Sequence, residues 1–257
     1  MKRLTTLKLL AVSCIAAFAF TSNASARTVD EIKADGKIII ATEGAYPPFN
    51  YFQGSKLTGF EVELGDAVAK KMGLKVEWKS LSFDALLAGL RQDRWDLVIA
   101  SFGITEERAK AVTFTQPHYC SGGVIVSRDG SVKTAADLAG KVVAAQTGST
   151  YFENVKKVPG VKEVKNYPQD TDARAALQNG RVDAWISDRF VVKTALESNP
   201  AGMKMGDFLF VERIASAIKK GNNTLGAAYD KALAEVMADG TYKALSEKYL
   251  KEDVRCK

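Results

Sequence analysis

Histidine, cysteine and tryptophan are scarce in this chain: one, three and three residues among 257. With His118 as the lone histidine and no Cys-x-x-Cys pair, the spacing of a zinc site is missing, and no metal is expected. No Gly-x-x-x-x-Gly-Lys-[Ser/Thr] run occurs, which excludes the usual nucleotide-phosphate loop. Long apolar runs are also lacking. The stretch Leu9 to Phe20 is too short for a helix across a bilayer, and no later run approaches the roughly 18 residues required. Finally, no Pro/Gly/Ser-rich linker divides the chain, so any two lobes must be joined by direct crossings.

What is present begins with a targeting signal. Lys2, Arg3 and Lys8 precede the apolar run, and Ala24-Ser25-Ala26 follows it, so residues 1–26 read as a signal peptide cleaved after Ala26. Ala11-Val12-Ser13-Cys14 is a loose match to a lipoprotein cleavage box. With Ala at position 11 and apolar sequence continuing past Cys14, a cleaved and unanchored periplasmic chain is expected instead. Removing the signal takes away three basic residues and no acid, so the formal charge of +6 falls to +3. That balance is too weak to argue for nucleic acid or an anionic membrane as partner. Cys120 and Cys256 survive cleavage; in an exported chain they can pair or remain separate thiols, and both readings stay open.

Strand-like and helix-like patterns alternate along the rest. Lys37–Thr42, Val76–Ser80 and Asp96–Ser101 read as strands, separated by helical spacing over Phe60, Leu64, Val68 and Met72 and over Phe83–Arg91. This order predicts an α/β fold with parallel strands covered by helices. The pattern restarts after Tyr119. Strands are expected at Gly123–Ser127, Lys141–Ala145, Lys162–Tyr167 and Arg181–Ser187. Helices are expected at Thr134–Leu138, from Ser149-Thr150 to Lys157, over Asp170–Leu177, and after a cap at Asp188. An internal echo supports two related halves: Leu90 to Ile99 resembles Leu177 to Ile186, each with an Asp leading a strand that ends in polar residues. Two amphipathic helices close the chain, parted by Gly240. The expected division is 27–119 for lobe 1, 120–213 for lobe 2, and 214–257 returning to lobe 1. The crossings lie near Cys120–Gly123 and Val211–Ala217.

Four loops after expected strands carry groups for a cleft, because open α/β sheets hold ligands at the carboxyl ends of their strands. Glu43 and Tyr46 stand in Glu43-Gly44-Ala45-Tyr46-Pro47-Pro48-Phe49, and Phe83 follows Ser82, a candidate cap. The run Ser101-Phe102-Gly103-Ile104-Thr105-Glu106-Glu107-Arg108 ends a strand and starts a helix, with Thr105 as cap. Arg108 on that first turn suits a bidentate pair with a carboxylate; taken alone, it equally suits a solvated surface. Gln146-Thr147-Gly148-Ser149-Thr150 offers glycine and two hydroxyls at a helix start, a setting for a small anion. Arg108 with Ser149 and Thr150 can hold a carboxylate, and Asp188 with Ser101 can hold an ammonium. Together they form a clamp for a free amino acid. His118 reads as structural.

Those residues bring a family into view. The chain resembles, over nearly all of its length after the signal, the polar amino acid-binding proteins of bacterial ABC importers, of the histidine, lysine/arginine/ornithine and glutamine type. The motifs that carry the likeness include the Glu43–Phe49 and Ile104–Arg108 runs, Gly59-Phe60-Glu61-Val62-Glu63-Leu64, Gly148-Ser149-Thr150, Gly180-Arg181-Val182-Asp183-Ala184 and Asp239-Gly240-Thr241-Tyr242. The resemblance implies two lobes, joined by two hinge crossovers, that close over an amino acid and deliver it to a permease with a cytoplasmic ATPase. It implies that Arg108, the Gly103 backbone and Thr150 take the α-carboxylate, and that Asp188 and Ser101 take the α-ammonium. Tyr46 and Phe83 would flank the side chain, with Phe102 in the same run, while Glu43 faces its far end. Gly103 stands where relatives often carry Ser or Thr, and Gln146 stands at a position that varies with the ligand.

Glu43 beside aromatic faces suits an ammonium or guanidinium, so arginine, lysine, ornithine or histidine is the expected ligand, with glutamine as the alternative. No cofactor is called for, and a monomer is expected. The competing class is a cyclohexadienyl dehydratase on the same fold, for which Glu43 is the one obvious acid.

Overall fold

The computed structural model describes residues 26–198 and 202–256. The expected signal, with Cys14, lies outside the described residues apart from Ala26.

The described residues open with a helix that the sequence pattern does not reveal, α1 (Val29–Asp35). Thr28 and Glu31 cap it reciprocally, each side chain satisfying a backbone N–H of the other. β1 (Lys37–Thr42) has the bounds expected of it. A small antiparallel sheet follows, β2 (Ala45–Tyr46), β3 (Asn50–Gln53) and β4 (Lys56–Thr58), also unforeseen. Helix α2 (Phe60–Lys71) buries Phe60, Leu64 and Val68, the expected stripe. Its start is tight: Gly59 has φ +122°, and a Cβ there would lie 2.3 Å from the Phe49 carbonyl oxygen, so only glycine fits.

β5 (Lys75–Ser80), α3 (Phe83–Arg91) and β6 (Leu97–Val98) come next. The strand expected over Asp96–Ser101 is therefore only two residues long, because Ser101 turns into the left-handed region at φ +53°. After α4 (Glu106–Ala111), β7 runs sixteen residues, Val112–Ser127. The segment expected as helix over Thr134–Leu138 is a single 3₁₀ turn at Ala136–Leu138. β8 (Val142–Gln146), α5 (Thr150–Val155), β9 (Glu163–Tyr167), α6 (Asp170–Gln178), β10 (Ala184–Asp188) and α7 (Arg189–Ser198) follow the expected alternation. β11 (Lys204–Lys219) is the second sixteen-residue strand, and α8 (Asn223–Ala238) and α9 (Thr241–Leu250) end the chain. Gly240, at φ +87°, separates those two helices as expected.

The strand order is β5-β1-β6-β11-β7-β10-β8-β9. β5, β1 and β6 are parallel on one side, and β10, β8 and β9 are parallel on the other. Between them the long β7 and β11 pair antiparallel and serve as the two crossovers. The fold is thus α/β with two lobes, each a mostly parallel set of strands flanked by helices. Paired ladders can bend and twist without breaking, which suits a hinge. An aromatic stack locks the β2 loop onto β7: Tyr46 lies on Phe49 with ring centroids 5.8 Å apart, and Phe49 lies on Tyr119 at 4.8 Å. Cys120 on β7 and Cys256 form a disulfide, which settles the question the sequence left open and ties the end of the chain to the crossover. Among the described residues, no helix is long and apolar enough to cross a membrane.

Candidate functional site

The carboxyl ends of the parallel strands point to one place. Glu43 follows β1, Ser101 follows β6, Gln146 ends β8, and Asp188 ends β10. Seven of the eleven expected site residues line one small cavity: Glu43, Tyr46, Phe83, Ser101, Gln146, Ser149 and Thr150, joined by Ala100 and Tyr151. The enclosed space is about 10 Å³, because the two sides touch. Gln146 Nε2 donates to Glu43 Oε1 at 2.6 Å, and the Tyr46 hydroxyl donates to Tyr151 at 3.2 Å and lies 3.3 Å from Ser187 Oγ. A larger depression of about 580 Å³ lies along the crossovers, with Val211, Glu212 and Arg213 on its wall. The expected residues are not part of it.

Glu43 is almost fully buried, and that burial raises its carboxyl to about 8, against the Gln146 hydrogen bond and with help from the charges of Asp170 and Asp84. Its backbone carbonyl accepts from Ser80 Oγ at 2.5 Å. Phe83 stacks on Phe102 with centroids 4.3 Å apart. Ser82 makes no side-chain cap at the start of α3.

Thr105 does cap α4, accepting the Arg108 N–H at 3.1 Å, and this brings the guanidinium over the Phe102 ring at 4.8 Å. Arg108 Nη1 donates to Gly103 O at 2.8 Å and Nη2 to Gly148 O at 2.9 Å. Three of the five N–H groups remain for a further acceptor. Burial lowers the guanidinium's pKa, opposed by the nearby charge of Glu212.

Ser149 caps α5 through its Oγ and donates to Gln146 O at 2.7 Å. Thr150 Oγ1 donates to Glu212 Oε2 at 2.8 Å. Asp188 Oδ1 accepts from Phe190 N at 2.7 Å, the expected cap, while Oδ2 is buried without a partner. Burial raises this carboxyl to about 6. The arrangement offers a guanidinium and hydroxyl at one end, and buried carboxyls with spare lone pairs at two other points.

Three acids escaped the sequence reading. Glu61, fully buried, accepts from Asn50 Nδ2 at 2.9 Å, Ser101 N at 2.8 Å and Ser101 Oγ at 3.0 Å, and it meets His118 Nε2 at 2.9 Å. It fixes the Ser101 turn and gives His118 the structural role expected of it. The spacing Glu61, Leu64, Val68 puts this acid on the apolar face of α2, a signal that was legible. Asp170 accepts from Trp185 Nε1 at 3.0 Å and is raised to about 7 by burial. Glu212 on β11 is raised to about 7 for the same reason. Its only signal was an acid in a crossover strand. Among the described residues, no group of three or more His, Cys, Asp and Glu gathers as a metal site.

Residues 38–252 match the family described as bacterial extracellular solute-binding proteins, family 3. The chain is 36% identical over 252 residues to the L-cystine-binding protein TcyJ of Escherichia coli K12, covering 95% of this chain and 94% of that one. It is 31% identical over 249 residues to the ABC transporter arginine-binding protein 1 of the same organism, covering 94% and 98%. Among solved structures, an ancestral arginine-binding protein bound to arginine superposes with a TM-score of 0.79 at 40% identity, covering 83% of this chain and 98% of that one.

Proposed function

The chain belongs to the bacterial extracellular solute-binding proteins of family 3, and from that premise we propose that it captures a basic L-amino acid in the periplasm. It is an amino-acid-binding protein of an ABC transporter, a binder and not an enzyme. In our reading it works as a monomer, exported by a signal cleaved after Ala26. One lobe comprises 27–119 and 214–257, and the other 120–213. A ligand touching both lobes stabilises the closed arrangement by its differential affinity, and the β7–β11 pair bends to allow it. The closed form is what a permease with its cytoplasmic ATPase would receive.

Arg108, with its three uncommitted N–H groups, takes the ligand carboxylate together with the Gly103 backbone and the Thr150 hydroxyl. Asp188, through its unpartnered Oδ2, takes the α-ammonium together with Ser101, while Ser149, at the start of α5 beside Thr150, belongs to the carboxylate end. Tyr46, Phe83 and Phe102 supply aromatic surface along the side chain, and Gln146 and Glu43 meet its far end.

The observation that carries the basic ligand is Glu43. It is a buried carboxyl on the cavity wall, with no cation paired to it among the described residues, and it shares that wall with Tyr46 and Phe83. A guanidinium or ammonium supplies the missing charge and displaces Gln146 from it. One contact favours a second reading: the Gln146 amide already satisfies Glu43 at 2.6 Å, so the amide of a glutamine ligand fits the same acceptor. Calorimetric titration of unfolded and refolded protein against arginine, lysine, ornithine, histidine, glutamine and cystine decides. Tight binding confined to the cationic members supports the proposal. Binding of glutamine or cystine alone overturns the basic preference, and silence across the panel overturns capture itself.

A further inference from the structure

Glu212 has no task in the capture scheme, yet its carboxyl reaches the carboxylate end of the site. β11 delivers it two residues after Phe210, whose ring lies 5.8 Å from that of Tyr151. Both side chains fit because the positions facing them are glycines. A Cβ on Gly123 would lie 2.5 Å from the Phe210 ring, and one on Gly103 would lie 2.0 Å from Glu212 Oε2. Oε2 accepts the Thr150 hydroxyl at 2.8 Å, while Oε1 is buried with no partner. The titratable groups acting on it are Arg108 on α4, Tyr151 on α5 and Asp188 at the end of β10, and Arg189 on α7 and Arg213 on β11 share with it the wall of the larger depression.

Arg108 and Thr150 are the groups assigned above to the ligand carboxylate. The Thr150 hydroxyl has one proton and can donate to one acceptor at a time. A second carboxylate brought against the same guanidinium also leaves a buried negative charge without a partner, which is expensive at low dielectric. A proton taken from solvent onto Glu212 Oε1 removes both conflicts: the acid becomes neutral, and it gains an O–H donor for the incoming carboxylate.

Resting on the capture reading, we propose that Glu212 is a positioning residue that sets affinity: it must carry a proton whenever a ligand carboxylate is held by Arg108 and Thr150. Capture therefore takes up a proton at this residue. Burial already holds its carboxyl near 7, so the uptake falls within the range of ordinary extracellular pH.

The test compares wild type with Glu212→Gln, which keeps the shape and a donor but cannot titrate, using L-arginine and L-glutamine as probes in calorimetry between pH 5.5 and 8.5. The two proteins are expected to bind alike at pH 5.5. At pH 8 the variant should bind about tenfold tighter, because wild type must first recruit a proton one unit above its own pKa. Repeating the titrations in buffers of different ionisation enthalpy should show wild type taking up as much as one proton more than the variant near pH 8. Glu43 titrates in both proteins and cancels in the comparison. Asp188 repels the Glu212 charge and so titrates lower in the variant, a difference that falls near pH 6 and below, away from the pH 8 comparison. Glu212→Ala, which adds no contact over Gly103, should lose the same pH dependence. Parallel affinity curves with equal proton counts overturn the proposal, as does loss of binding in both variants at every pH. If neither probe binds wild type at any pH, the capture reading falls and this proposal falls with it.

Discussion

The guanidinium of Arg108 donates through Nη2 to the carbonyl of Gly148, 2.9 Å away and 40 positions along the chain. Nη1 meanwhile holds Gly103, five residues back, at 2.8 Å. One planar cation therefore bridges the loop after β6 and the loop after β8, the two sides of the cleft.

That bridge makes Arg108 the first residue to vary. Arg108→Ala should abolish amino acid binding with the fold intact, as read by calorimetry alongside thermal melting. Arg108→Lys keeps the charge but cannot hold two carbonyls and a carboxylate in one plane. Losing one charge-assisted hydrogen bond costs about 1.5–3 kcal/mol, so the lysine variant should bind roughly 10- to 100-fold more weakly. Near-normal affinity in either variant would remove the carboxylate clamp.

Glu43 should couple ligand charge to protons in the direction opposite to Glu212. In the free protein its carboxyl stands at about 8, so at pH 7 it is mostly protonated. A bound cation favours the ionised form and expels that proton, so this residue's contribution to cation affinity rises with pH up to about 8 and then levels. Glu43→Gln should remove that contribution and shift preference from arginine towards glutamine. The readout is the difference between wild type and variant in proton release on arginine binding; no difference would discard Glu43 as the reader of the side chain.

Buried acids also set the pH dependence of stability. Burial raises Glu43 to about 8, Asp170 to about 7, Asp188 to about 6 and Glu212 to about 7. Each binds its proton more tightly in the folded chain than in the unfolded one. Their stabilising contribution is complete below the unfolded value, about 4, and is lost as pH rises through 6 to 8. Scanning calorimetry should give a higher Tm at pH 5 than at pH 8.5 without added amino acid. A Tm that rises over that interval would contradict the burial of these acids.

The disulfide should matter to stability and not to recognition. Cys256→Ser frees the tail from β7 and should lower unfolding free energy by about 2–4 kcal/mol, read from the denaturant midpoint. Arginine affinity should stay within about twofold, because neither cysteine lines the small cavity. A tenfold loss of affinity would mean that the tail sets the hinge angle.

Local rules carried the sequence reading a long way. β1 and α3 have the expected bounds because apolar alternation, helical period and turn residues agree there. Thr105 caps α4 as expected, and α5 starts where the Ser149-Thr150 pair was expected to open a helix, since a helix start depends on three or four neighbouring residues. The hairpins of β2–β4 went unseen because they are short and half-exposed, so no alternation marks them. β6 shrank because Ser101 takes a positive φ, which the Glu61 carboxylate stabilises from another element.

By itself, then, the sequence determined the alternation of the main strands and helices, the caps at Thr105 and Asp188, and which polar residues stand at strand ends, all properties of short windows. Only the tertiary structure decided what those residues meet. Glu43 finds Gln146 from 103 positions away, Cys120 finds Cys256, and Glu212 arrives over Gly103. Between the two halves of the sheet that carry these residues, β7 pairs with β11 in one fixed register. That register is set by burial summed over both strands, and no local pattern encodes it.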